Sequence, residues 1–559
     1  MKLFSSPLEQ VLLHSIGLLF ISVIAVSSSH ASDLPKILSA EEHYLPDFSY
    51  AGYKFGIEPL PNVNGTLVDV TEYGAIANDA VDDSDAIIKA IEAANEIDGN
   101  VILRFPQGRF IISEYIYITR SNFVMQGAGR GKFGTTLYFP RPLSMVDDEG
   151  NLSELRKYLK KYNKQQRETD TNIDRLYSEY SWTGGFIWIG PENHRGYAYL
   201  DEYDTPAEPD LATGLKGKQG ERLISVSNSE SFKVGQRIEV LWHNRQGENG
   251  ALVKSLYNNT SVPIGSRHWT SPERPLVKQR TQIVEVKQNT LTIADTLLHD
   301  VNEQLPVAIK NWSPLENIGL EGFSFEFPEQ PYFGHHIEPG YNGVHITGIA
   351  DSWIRNLSFV NADAGIISYD SANVTISDIH SLGDRAAHYA VHLGNVHNVL
   401  VQGVKVFNPV IHTFSFNTQS TRSVFKDSEG YNVPVLDQHA GANHQNLFDN
   451  ITLYLDAVEG DKRASYPVFF GSGAGYWQPG HGRFNTAWNL RLIVESGAPG
   501  DMPLHVEGIA EGPDARIVGL SGNRELSLEY IPAPYVESLN KRIAHIPSLY
   551  DYQLSLRLR

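Results

Sequence analysis

Eleven of the chain's twenty histidines fall between positions 335 and 481. Imidazole titrates near neutral pH, so such a concentration can supply general bases, general acids or metal ligands. Three of them follow aligned positions of a repeat at similar offsets: His388 nine residues after Ile379, His412 eight after Val404, and His439 eleven after Ser428. In stacked coils, similar offsets bring side chains to one face. Arg385, Tyr389, Asn417 and Arg422 are close by in sequence. Abstraction of a proton next to a carboxylate, with loss of a leaving oxygen, needs such a set: a base for the proton, a cation for the carboxylate, and an acid for the leaving oxygen. On this reading His412 and His439 share the acid–base work. Arg422, Arg385 or Arg483 neutralises the carboxylate, and His388 and Tyr389 line the same groove. The competing reading makes these histidines polar ladder positions inside the coils.

Metal chemistry is less defined. Asp363, Asp370, Asp384 and Asp437 make calcium a candidate cofactor, but they form no compact calcium motif. His388 and His392 have the spacing of a helical zinc pair. They fall on an expected strand or turn, where residues i and i+4 do not converge. No metal ligand set is assigned.

The elements that must position these residues are short strands. Leu357, Ile379, Val404, Ser428 and Ile451 align at intervals of 22, 25, 24 and 23 residues, within segments such as "DSWIRNLSFVNA" and "HQNLFDNITLYL". A period in the low twenties, with Val, Ile and Leu strands and Asn, Asp and Gly turns, gives one solenoid coil per repeat. Gaps such as 328–342 and 456–480 are then loops that wall a binding face. Further upstream, Gly129, Gly131 and Gly134 have dinucleotide-fingerprint spacing, but "TTLYF" follows them and favours a strand rather than a helix. They are read as a turn between strands, and nucleotide is excluded as a partner.

The totals bound the rest. Forty-six basic against sixty-five acidic residues give a net charge of −19, which argues against nucleic acid as a partner. The chain has no cysteine, so disulfides and thiolate chemistry are excluded. Residues 16–26, "IGLLFISVIAV", followed by "SSHA" ending at Ala31, read as a signal peptide cleaved after Ala31. That predicts a secreted or periplasmic protein with no membrane span after its removal.

Residues 67–113 carry a family resemblance. Tyr73-Gly74-Ala75, Asp82-Asp83-Ser84, the amphipathic "DAIIKAIEAAN" and Phe105-Pro106-Gln107-Gly108 resemble the N-terminal segment of pectin-lyase-like right-handed β-helix proteins. The resemblance implies an all-β solenoid: a single-stranded right-handed parallel β-helix with an N-terminal capping helix. Helical and small β segments are inserted in it. The expected parts are a signal peptide 1–31, an extension 32–66, first coils with capping helix 67–140, and a charged helical insertion 141–219. A small β insertion 220–308, main coils 309–500, and a C-terminal coil with capping tail 501–559 complete them. Two clusters resemble a subset of that family: "LDQHAGANHQNLFDN", with His439, Asn443 and His444, and "GSGAGYWQPGHGRFNTAWN", with Trp477, His481 and Arg483. The resemblance implies substrate contacts there, with Trp477 suited to stacking on a sugar. "GHG" at 480–482 is similar to a polygalacturonase motif, but no aspartate pair precedes it and no RIK follows. Hydrolysis of that kind needs two carboxylates. The function expected is therefore an exported lyase of an acidic polysaccharide. A β-helix glycoside hydrolase and a non-catalytic glycan-binding solenoid are the alternatives.

Overall fold

The computed structural model describes residues 34–39, 44–146, 178–192, 209–247, 250–258, 275–439, 441–460, 463–471, 480–497, 502–509 and 512–559. Residues 1–43 form a separate unit, of which the described part holds one short turn, Lys36–Leu38. The signal segment, most of the expected charged insertion and Trp477 lie outside the described residues.

The second unit is built on a right-handed parallel β-helix. One long parallel sheet begins with Thr66–Asp69, Val101–Arg104 and Phe123–Gln126 and continues through Ile318–Glu326, Ile349–Val360 and Ala372–Leu382. A second runs from Asn342–Thr347 through Ala364–Tyr369, Ala387–Leu393, Val410–Phe416 and Leu436–Gln438. Leu357 pairs with Ile379, and the following pairings carry that register through Val404 and Ser428 to Ile451. The period read from the sequence is therefore the coil itself. Between the sheets, each coil stacks its apolar side chains on the next; Ile366, Val391, Phe414 and Leu436 form one such ladder.

Polar residues sit at the corners for a backbone reason. The positions corresponding to Asn317 through successive coils are Asp351, Asn373, Asn398, Arg422 and Gln445, and each has positive φ. Asn and Asp tolerate this left-handed conformation better than other non-glycine residues. A second such row holds Asn356, Asp378, Gly403, Asp427 and Asn450.

The helix Ser84–Asn95 buries Ile87, Ala90, Ile91 and Ala94 against the first coils, as its 3.6-residue periodicity requires. The glycines of 127–134 join Phe123–Gln126 to Thr135–Tyr138, which makes them a strand–turn–strand element with φ of +120° at Gly129. After Tyr138 the first sheet resumes at Leu315. Between these points lies a closed six-stranded barrel of Asp210–Lys216, Leu223–Val226, Arg237–His243, Pro275–Lys287, Thr290–Ile293 and Val307–Asn311. It extends beyond the expected 220–308 at both ends. Arg280 and Arg237 anchor it: Arg280 pairs with Asp370 at 2.5 Å, and Arg237 pairs with Asp351.

The C-terminal tail was expected to cover the last coil. Its first part does so, with the strand Tyr535–Glu537 beside Arg516–Val518 and Asn540 bonding Leu526, and the rest runs back along the first sheet to the helix Leu549–Arg557. Trp488 donates to the Ile546 carbonyl, the buried Asp449 accepts from Ser548, Leu549 and Tyr550, and Tyr550 reaches Ala51. A buried carboxylate and the unpaired amides of a helix start satisfy one another, which fixes the tail there.

Candidate functional site

The second sheet places Tyr389 and His412 directly across from each other on neighbouring strands. His388 precedes Tyr389, and its ring stacks on the tyrosine at 4.2 Å between centroids. One coil further on, the strand Leu436–Gln438 supplies Asp437, and His439 follows it. The His412 and His439 rings lie 4.6 Å apart. His388, Tyr389, His412 and His439 thus lie close together, although the strand register pairs His412 with Tyr389 and sets His439 beside Asn417 rather than His412.

Asp437 organises the pair. Its Oδ2 accepts from Ser415 Oγ at 2.6 Å and lies 3.2 Å from His412 Nδ1, while Oδ1 lies 3.6 Å from His439 Nδ1. Burial pushes the Asp437 carboxyl up, but His412 and His439 pull it further down, well below the usual carboxylate range. The group is an anion at every pH of interest.

A second carboxylate backs the other end of the cluster. Glu338 is wholly buried; it accepts from Ser181 Oγ at 2.6 Å and Tyr332 Oη at 2.7 Å, and lies 3.3 Å from His388 Nδ1. His335, from the same loop, lies across the centre. Its Nε2 is 3.3 Å from His388 Nε2 and 3.4 Å from His412 Nε2. Burial depresses the basicity of both His388 and His412. For His388 the neighbouring imidazoles add to this, whereas Asp437 opposes it at His412. Sequence reasoning missed Glu338 and gave His335 no role. The signal available was "HHIE" at 335–338, inside a loop read as a wall of the binding face.

Several expected residues lie elsewhere. Arg422 occupies a left-handed corner of the first sheet, wholly buried, and donates to Gln445, Thr296, Tyr44 and the Asp47 carbonyl. It is a structural clamp on the N-terminal segment and does not face the histidines, which removes it from the catalytic set. Arg385 pairs with buried Asp363 at 3.2 Å. Arg483 pairs with Asp514 at 2.7 Å and stacks on Phe484. His444 hydrogen-bonds His299 at 2.9 Å where the barrel meets the coils, and His481 contacts Tyr530 Oη at 3.2 Å. Asn443 bonds the His439 and Gly480 carbonyls. These neighbours in sequence are separated because a coil turns corners within a few residues. His388 and His392 share a strand, and His392 packs on Tyr369 at 5.0 Å rather than joining His335 and His412.

The comparisons with known proteins bear on this scaffold. Residues 67–178 match the family model of rhamnogalacturonase A/epimerase, pectate lyase-like. No curated protein matches the chain. Among solved structures, the tailspike protein gp49 of Pseudomonas phage LKA1 aligns at 11% identity with a TM-score of 0.44, over 84% of this chain and 80% of its own. The Azotobacter vinelandii mannuronan C-5 epimerase AlgE6 A-module aligns at 10% identity and 0.35, over 85% and 94%. A Thermotoga maritima exopolygalacturonase aligns at 11% identity and 0.33, over 86% and 93%.

Proposed function

We propose that this protein is an exported polysaccharide lyase that cleaves a uronate-containing glycan by β-elimination. The observation that carries the reading is the buried His412–Asp437–His439 arrangement, of which His439 is the least covered. Asp437 accepts only, so an imidazole Nδ1 that bonds it carries the proton and leaves Nε2 as a base. His439 is the more open of the two, at 9% exposure against 1% for His412. His335 lies across His412 Nε2. His439 therefore takes the C5 proton, and His412 supports the shared carboxylate. The C4–O bond then breaks, a C4–C5 double bond forms, and the leaving oxygen takes a proton from solvent. Phe333, 54% exposed on the loop that carries His335, offers an apolar face to a sugar ring.

Inverting hydrolysis would need one carboxylic acid and one carboxylate flanking the glycosidic bond. Here Glu338 and Asp437 are both buried and both engaged with histidines. The test is product chemistry on a panel of uronate polysaccharides. A lyase yields the conjugated unsaturated uronate, seen by its ultraviolet absorption; a hydrolase yields reducing ends without it.

A further inference from the structure

We propose that His335, His388 and His412 hold a divalent transition-metal ion of the zinc type through their Nε2 atoms. The separations of 3.3 and 3.4 Å from His335 Nε2 to the other two carry the first part of the argument. Zinc–nitrogen bonds of about 2.0–2.1 Å at tetrahedral angles place ligand nitrogens about 3.3–3.4 Å apart. The second part is the proton count. Glu338 stands 3.3 Å from His388 Nδ1 and Asp437 stands 3.2 Å from His412 Nδ1. Neither Nδ1 has a formed hydrogen bond, but each has a buried carboxylate as its near neighbour, which favours the proton on Nδ1 and a lone pair on Nε2. Both lone pairs then face His335 Nε2. That atom carries at most one proton, so it cannot make a good hydrogen bond to both. A cation satisfies all three nitrogens at once.

The donors also select the ion. Three neutral imidazoles suit zinc, copper, iron or nickel, with cobalt as a spectroscopic substitute for zinc, whereas calcium takes oxygen ligands. His388 and His412 are each 1% exposed and fixed on neighbouring strands of the sheet, so two ligands are preorganised. His335 comes from the exposed loop and closes the set. Three ligands leave one position open, as in catalytic zinc sites. Its role rests on the lyase reading: Arg422 and Arg483 are engaged elsewhere and Arg385 is buried against Asp363, so the ion supplies positive charge beside the histidines for the substrate carboxylate.

The test is metal content and metal spectroscopy, independent of turnover. The full-length mature protein is stripped with chelator, dialysed against Zn²⁺ or Co²⁺, and assayed by elemental analysis and visible absorption. The expected result is one ion per chain, with the intense visible bands of four-coordinate cobalt. His335→Ala, on an exposed loop, should weaken binding by about 100-fold or more, and Asp437→Asn by about 10–100-fold. His392→Ala should leave binding unchanged. Absence of stoichiometric uptake, or uptake unaltered in His335→Ala and His412→Gln, overturns the site. Uptake of the ion with no unsaturated product from any uronate polysaccharide refutes the lyase reading and leaves the site standing. Full lyase activity in the stripped protein refutes the ion's role in neutralising the substrate.

Discussion

Replacing Asp437 with asparagine is the sharpest perturbation of the proposed chemistry. The side chain keeps its volume but loses its charge and one acceptor oxygen. In the protein that oxygen pair accepts a hydrogen bond from Ser415 at 2.6 Å and faces His412 Nδ1 at 3.2 Å and His439 Nδ1 at 3.6 Å. An asparagine can turn its carbonyl to only one side. Its amide then faces either His412 or His439, and a donor facing Nδ1 forces that ring's proton to Nε2. The lone pair that would take the C5 proton is lost. Loss of a carboxylate that orients a histidine costs 10–100-fold where it is an outer support, and more where the ring is itself the base. The expected fall in kcat/KM is about 100- to 1000-fold, equivalent to about 3–4 kcal/mol of transition-state stabilisation. The fold should tolerate the change, because the apolar coil ladders are untouched. A melting midpoint within about 5 °C of the parent is expected. Initial rates of unsaturated-uronate formation and thermal melts are measured on the same preparation. His505→Ala serves as the control; that residue pairs with Glu529 on a later coil. A rate within twofold of the parent, or a loss explained wholly by unfolding, would refute the reasoning.

Three further outcomes are expected. Burial lowers His444 to about 4 while the unfolded chain titrates at its ordinary value of 6.5, so the folded state binds fewer protons and stability falls as pH drops from about 6.5 to about 4. The loss from this group is about 3 kcal/mol; denaturant midpoints flat across that window would contradict it. Asp449→Ala removes the acceptor for Ser548, Leu549 and Tyr550 and should cost about 1–3 kcal/mol, with hydrogen exchange rising first in residues 543–557; exchange unchanged there would show that the Asp449 side chain does not hold the tail. The mature N-terminus is expected at Ser32, and N-terminal sequencing that returns Met1 from a membrane fraction would mean an anchor instead.

The coil was legible because its signal is local. A short apolar strand and a turn residue recur at a spacing close to the coil length, and the observed register reproduces the alignment of Leu357 with Ile379 and onward to Ile451. The nearness of His412 and His439 does not follow from the repeat alone, because the strand register sets His439 beside Asn417. Arg422 was misplaced because nearness in sequence says little where the chain turns a corner: ten residues after His412 it stands on the other sheet with φ of +50°. Glu338 and His335 escaped notice because they belong to a loop outside the repeat, where no periodicity ties a position to a face. The barrel's extent was underestimated for a related reason. Its first and last strands, Asp210–Lys216 and Val307–Asn311, pair with each other across the whole insertion, and such closure leaves no mark in either segment alone.

The central claim is that this histidine–carboxylate face breaks a uronate polysaccharide by elimination. The most direct measurement is the structure of the products released by the mature protein from such polysaccharides, by mass spectrometry together with ultraviolet absorption. The account predicts oligosaccharides that end in an unsaturated uronate, with no solvent oxygen incorporated when the reaction is run in ¹⁸O-labelled water. Saturated products that carry one ¹⁸O per cleavage would contradict it and make the protein a hydrolase.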